Sequence, residues 1–303
     1  MMENINLNKK QFNNLKELEL PKDLFVAESK LYIFPVYNGW NSITKLFKKF
    51  EINNKQLIEN KLKTIKTLIN FKELINIKEI VFPEKIVLIE NEFAGYTMEL
   101  VKSINLEQAL ESNEISNERK IKYFIQIGEI LEKMDSVRKY TQLKDFYLND
   151  IHENNFIIDL NTDSIRVIDI DSCKINNNLT YTIGSRYLQA NTIASKIPKY
   201  KQDETFVYGC SFIPSKDTDL YCYNIMILNF LYGGGIDELT IEEVYDYLEY
   251  LLSIGVDLKL VNIFKKVLSN SPNENPYKYL NELIKFCGKA HKTVYKIRRT
   301  NRF

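Results

Sequence analysis

Between Leu148 and Cys173 the chain reads LNDIHENNFIIDLNTDSIRVIDIDSC, and three of its side chains have the types and spacing for chemistry on phosphate. Asp150 and Asn155 stand five apart, with a short apolar run after Asn155. A second apolar run ends at Asp169-Ile170-Asp171. Two strands, Phe156 to Asp159 and Ile165 to Ile168, joined by the polar turn Asn161-Thr162-Asp163, bring Asn155 and Asp169 close together. A carboxylate and an amide oxygen suit a hard cation such as magnesium, which takes oxygen ligands and phosphate. Asp150, one turn of loop away, is free to meet an incoming hydroxyl. Phosphoryl transfer asks for these parts, because the protein must align the nucleophile and neutralise phosphate charge rather than do covalent work. The competing reading makes Asp150 and Asn155 a polar turn before a strand, and Asp169 a strand-end carboxylate that caps a loop. Asp171 stays open between a second metal contact and a hydrogen bond within the loop.

The elements that must position these residues follow from hydrophobic periodicity. Leu24 to Val36 reads as a hairpin turning near Glu28-Ser29-Lys30, and Asn38-Gly39 is a second turn signal. Ile43 to Phe50 (ITKLFKKF) reads as a strand, with Lys45, Phe47 and Lys49 on one face. Asn54 to Asn70 places Leu57, Ile58, Leu62, Ile65 and Leu68 at helical spacing. Lys85 to Leu100 reads as two strands around Glu90-Asn91-Glu92. From Asn105 onward the pattern turns helical. Ser116 is the N-cap of a helix to Met134, and later helices are expected over Asp219 to Leu231, Ile241 to Ser253, Val261 to Leu268 and Pro276 to Cys287. The joint falls near Glu99 to Ser103. It gives a small β-rich part (1–101), a larger helical part (102–285) and a basic tail (286–303). A cleft between two such parts is a common place for a nucleotide.

In this order the residues resemble the protein-kinase-like superfamily, through the pattern D-x-x-x-x-N, a hairpin, then Ile-Asp. The resemblance runs over roughly residues 24 to 285 and implies an α+β, bilobal fold, an activity dependent on ATP and Mg2+, and a hydroxyl acceptor. By it, Asp150 matches the catalytic aspartate, Asn155 the metal-binding asparagine of the catalytic loop, and Asp169 the metal-chelating aspartate. Lys45 looks like the strand lysine that pairs with the α- and β-phosphates, and Glu59 like its ion-pair partner on the following helix. Glu99, Leu100 and Val101 fall where the hinge meets adenine through backbone groups. Asp219-Leu220-Tyr221 is similar to the start of the central helix of the large lobe, with Asp219 anchoring the catalytic loop by hydrogen bonds and doing no chemistry.

The departures are specific. The first glycine in the chain is Gly39, so no glycine-rich turn precedes it, which keeps open a nucleotide-binding module without transfer. Asn149 stands where many protein kinases have arginine, and Ile170-Asp171 where they have Phe-Gly. The runs Asp150 to His152 and Asp169 to Asp171 resemble aminoglycoside- and choline-kinase-like enzymes, whereas the Asp219 helix resembles protein kinases. A protein serine or threonine is the favoured acceptor and a small-molecule alcohol the alternative. His152 is expected to meet the catalytic-loop backbone, and Trp40 to pack in a core or turn.

Bulk properties exclude other classes. With 303 residues, 45% hydrophobic and a formal net charge of +1 from 41 basic and 40 acidic residues, nothing global argues for nucleic acid or an anionic membrane. Cys173, Cys210, Cys222 and Cys287 form no C-x-x-C pair, so thiols are expected rather than zinc or disulfides. The apolar stretch Leu220 to Tyr232 is too short to span a bilayer. Met1 to Lys10 carries no apolar signal region, and cytoplasmic residence is expected by default. The tail from Lys285 to Phe303 reads either as a solvated end or as a docking site for an acidic partner.

Overall fold

The computed structural model describes residues 4–18, 29–38, 41–178, 185–189, 192–200 and 212–288. The architecture is α+β, with a curled six-stranded sheet followed by a helical part. The sheet contains β1 (Ile5–Leu7), β2 (Lys16–Glu17), β3 (Ser29–Asn38), β4 (Asn41–Phe50), β5 (Pro83–Ile89) and β6 (Glu92–Glu99), in the order β1-β5-β6-β4-β3-β2. The pair β3 and β4 is antiparallel in register from Ser29↔Phe50 to Asn38↔Asn41, as the Asn38-Gly39 signal predicts. Of the hairpin expected over Leu24 to Val36, Leu24 to Glu28 lie outside the described residues, and the turn expected at Glu28-Ser29-Lys30 is corrected in that Ser29 and Lys30 already lie in β3. The β5–β6 turn sits where expected, with Glu90 and Asn91 at φ 52° and 68°, the backbone that tight hairpins require.

Each face of this sheet is apolar, and each has its own cover. On one face, Leu7, Tyr32, Phe34, Phe47 and Val87 pack with Phe12 of α1 (Lys9–Asn13). On the other, Phe50, Val81, Ile86, Tyr96 and Met98 pack on Ile65 of α2 (Lys55–Ile75). The Asn54 side chain caps α2 by accepting from the Leu57 N–H, and Asn76 ends the helix at φ 45°, a left-handed stop that asparagine tolerates.

The chain leaving α2 is bonded to the second part of the molecule. Val81 N–H donates to Val167 O (2.9 Å) and Val167 N–H to Glu79 O (2.8 Å). Val167 ends β9 (Ser164–Val167), which with β7 (Ser103–Asn105) and β8 (Phe156–Asp159) makes a three-stranded antiparallel sheet. Around it lie α3 (Leu106–Glu111), α4 (Asn117–Tyr140), α5 (Lys216–Tyr232), α6 (Ile241–Ser253), α7 (Leu258–Val267) and a run of 3-10 turns, Tyr277–Phe286. One large core joins them. α5 is buried nearly all round, as its apolar sequence requires. Ser116 caps α4 as expected. Cys173, Cys222 and Cys287 are unpaired thiols, while Cys210, Trp40 and the tail from residue 289 lie outside the described residues. Among the described residues no helix is long and apolar enough to cross a membrane.

Candidate active site

The loop from Leu148 to Asn155 is held from below by one carboxylate. Asp219, in the first turn of α5, is 4% exposed. Its Oδ2 accepts from the Leu148 N–H and its Oδ1 from the Asn149 N–H, both at 3.0 Å. This is the anchoring role expected for Asp219. Burial lifts its pKa to about 6, against the two backbone N–H donors, which lower it. Asn149 then turns the chain at φ 66°, and its Nδ2 donates to Ser172 O (3.3 Å), tying this loop to the one that follows Asp169. Ser185 closes the other side. Its N–H donates to Asn149 O (3.1 Å) and its hydroxyl to Ile151 O.

On that base, Asp150 keeps a side chain 22% exposed, with Oδ1 3.4 Å from Nε2 of His152. The His152 Nδ1 accepts from the Asn154 N–H (3.3 Å), so this imidazole does meet the loop backbone. Burial opposes a charge on His152, but the hydrogen bond and charge of Asp150, with Glu153 adding, raise its pKa. Asn155 donates Nδ2 to Asp150 O (2.8 Å). That bond fixes the amide and leaves Oδ1 with no donor among the described residues. The Ile168 N–H donates to Asn155 O (3.0 Å), and Phe156 pairs with Val167. Asn155, expected close to Asp169, is thus bonded through its backbone to the residue just before it.

Asp169 follows at φ 58°. A non-glycine residue in this left-handed region turns the chain sharply, and the 3-10 turn Ile170–Ser172 begins there. As a result both Asp169 and Asp171 reach Lys48 of β4. Lys48 Nζ donates to Asp169 Oδ1 and, at 2.7 Å, to Asp171 Oδ2. Tyr96, the cross-strand partner of Lys48, donates its hydroxyl to the same Oδ2 (2.9 Å). Lys61 of α2 donates to Asp171 Oδ1 and to Ser172 Oγ (3.3 Å). The side chains of Lys48 and Lys61 are 8% and 3% exposed and that of Asp171 is 0%, whereas Asp169 remains 37% exposed. Two buried cations and two carboxylates balance one another, as buried charges must. Burial works against the charge on Lys48, but Asp169 and Asp171 overcome it and raise its pKa. Burial likewise resists ionisation of Asp171, yet Lys48 and Lys61 hold its pKa below the ordinary value. Close strand approach is part of the arrangement. A side chain on Gly95 would put its Cβ 1.9 Å from Lys48 O, so glycine is required beside Tyr96.

Two expected residues are placed elsewhere. The pairing of Lys45 with Glu59 is corrected: Lys45 binds Glu84 (2.8 Å), and Glu59 is exposed on α2. The reason is parity. Leu46, Lys48 and Phe50 share the face packed on α2, and Lys45, one step out of phase, points to the opposite face. The buried position on α2 is held by a cation, Lys61, and not by an acid. Glu99, Leu100 and Val101 follow or end β6 as expected for a connection. The Glu99 carboxylate accepts from Arg166 Nη2 (2.6 Å) and the Val101 carbonyl from Ser103 Oγ (3.3 Å).

Sequence reasoning missed Lys48, Lys61 and Tyr96. Lys61 left a signal, since it falls on the apolar stripe Ile58, Ile65, Leu68 of its helix. Lys48 left a weaker one, being flanked on its own face by Leu46 and Phe50.

Among the described residues of this site, two oxygens stay open to a hard cation. Asp171 has both oxygens engaged by lysines and a tyrosine. Asp169 Oδ2 and Asn155 Oδ1 have no donor among the described residues, and they are the oxygen types that magnesium takes. No group of three or more His, Cys, Asp or Glu side chains among the described residues is arranged to hold a metal. Phosphate and water would therefore have to complete the shell. No family model matches the chain, and no curated protein matches it.

Proposed function

We propose that the chain is an ATP- and magnesium-dependent phosphotransferase with a bilobal, protein-kinase-like fold, acting on a hydroxyl. The observation that carries this reading is the contact between buried Lys48 and Asp169, with Asn155 bonded one residue upstream of Asp169 and Asp150 on the same anchored loop. Asp150 orients the acceptor hydroxyl and takes its proton. Asn155 and Asp169 hold the metal, which neutralises phosphate charge when bound. Lys48, in the role first assigned to Lys45, holds the phosphates. The connection Glu99 to Val101 offers backbone groups to the base. The favoured acceptor is a protein serine or threonine, because Asp219 anchors the loop as in a protein-kinase large lobe.

A second reading, a nucleotide-binding module without transfer, is supported by the absence of glycine before Gly39. Incubation with labelled ATP and magnesium, across pooled proteins and small molecules, separates them. The expected result is label on the protein itself or on a generic protein substrate. Asp150→Ala should lower that rate by about 10²–10⁴-fold, the usual contribution of a general base, and Asp169→Ala should abolish its magnesium-dependent part. Transfer to an aminoglycoside or sugar alone would reverse the acceptor preference. Thermal stabilisation by Mg·ATP without transfer would leave the binding module. Absence of both would sink the two readings together.

A further inference from the structure

The buried charge cluster assigns a separate job to each of the two aspartates, and we propose that Asp171 is the positioning residue for the phosphate-binding lysine, supplied by the metal loop in place of a helix carboxylate. This inference rests on the phosphotransferase reading above.

The argument starts from the helix. α2 lies against the face of the sheet that carries Lys48, so an acid on its inward stripe would be the simplest partner for that lysine. The stripe carries Lys61 instead, and Glu59 is exposed to solvent. A second buried cation makes the need for an acid greater, since neither lysine can stay charged away from water without one. Asp171 meets that need for both. Its Oδ2 is held between Lys48 Nζ (2.7 Å) and the Tyr96 hydroxyl (2.9 Å), and its Oδ1 by Lys61. Both lysines also lie over the ring of Phe50, at 5.8 and 5.7 Å from its centroid. Lys48 is thus fixed by an aromatic floor and by a fully buried carboxylate that Tyr96 and Lys61 hold in turn, with both oxygens already engaged.

Asp169 contrasts with it. Only one of its oxygens meets Lys48, and its side chain is 37% exposed. Lys48 can therefore exchange the Asp169 contact for a phosphate oxygen while its bond to Asp171 holds the ammonium in place. That exchange would free Asp169 to hold a metal ion. Of the two roles considered for Asp171 from the sequence, the hydrogen-bonding one is the one these contacts support.

The test measures dissociation constants for Mg·ATP and for adenosine, with kcat and KM for ATP, on the full chain carrying Asp171→Asn or Asp171→Glu, each checked for folding by its thermal transition. Lys48 meets only the phosphates, so adenosine affinity should stay within about twofold. Mg·ATP affinity should fall by about tenfold or more, the scale of one charge-assisted contact, with KM for ATP rising in parallel. Asp171→Glu keeps the charge balance if Asp171→Asn does not fold. A purely structural acid would be replaced by it without effect on ATP, whereas a positioning residue would not. Wild-type protein that binds Mg·ATP, with a folded variant that binds it equally well, overturns the inference alone. Wild-type protein that binds neither ligand overturns the phosphotransferase reading and takes the inference with it.

Discussion

The two polar centres of the molecule are held together in different ways. Beneath Asp150 a loop is fixed by backbone N–H groups converging on one buried carboxylate, Asp219. In the other, Lys48, Lys61, Tyr96, Asp169 and Asp171 are fixed by side-chain ion pairs and hydrogen bonds drawn from β4, α2, β6 and the loop after β9. The first centre tolerates the loss of one charge, because its donors are neutral amides. The second is more sensitive, above all at Asp171, because each buried charge there depends on another.

That contrast can be broken or sharpened by substitution. Asp171→Ala leaves two buried lysines with only the partly exposed Asp169, and should cost about 3–5 kcal/mol in denaturant unfolding, as removal of one member of a buried ionic group does. A loss under about 1 kcal/mol would put the centre in contact with water and end the distinction. Asp219 predicts a pH signature instead. Its folded pKa, about 6, lies above the ordinary 3.8, so between those values the folded chain binds the extra proton. Stability from this group is therefore greatest at low pH and falls as pH rises from about 4 to about 6, by about 3 kcal/mol at most. Asp219→Asn should erase that slope in unfolding curves taken across the window, and an unchanged slope would remove Asp219 as its source. Lys61→Met fills the same space and leaves Asp171 with Lys48 and Tyr96. Its cost should be smaller, about 1–2 kcal/mol by thermal unfolding, and a cost equal to that of Asp171→Ala would mean that Lys61 is the principal partner. Lys45→Ala should change stability by less than about 1 kcal/mol, since its bond to Glu84 is partly solvated, and should leave ATP affinity unchanged. A loss of ATP binding there would restore Lys45 to the site.

The same contrast explains what could be read in advance. The Asp150 loop is local: Asp150, Asn155 and Asp169 are set by a short spacing and one hairpin, and Asp219 opens an apolar helix with its own N-terminal signals. Periodicity also placed α2, β5 and β6, and residue type placed the cap at Ser116. The charge cluster is not local. Choosing Lys48 over Lys45 requires knowing which face of β4 the helix covers, and both faces carry large apolar residues. A single step of parity reverses the answer. Lys61 reads as a solvated lysine until Asp171, 110 residues away, is known to reach it. Short edges such as β1, β2 and β7 went unread because three residues or fewer carry no period.

The bonds between the chain leaving α2 and Val167 have a mechanical consequence. β9 carries β8 on one edge and the Glu79–Val81 stretch on the other, and Asp169 lies two residues beyond. Sliding the sheet past the helices would tear both amide links at Val167, whereas turning about that edge would spare them. A turn of that kind would have its pivot two residues from Asp169. Asp169 would then lie near the axle, and the far rim of the sheet would sweep the larger arc.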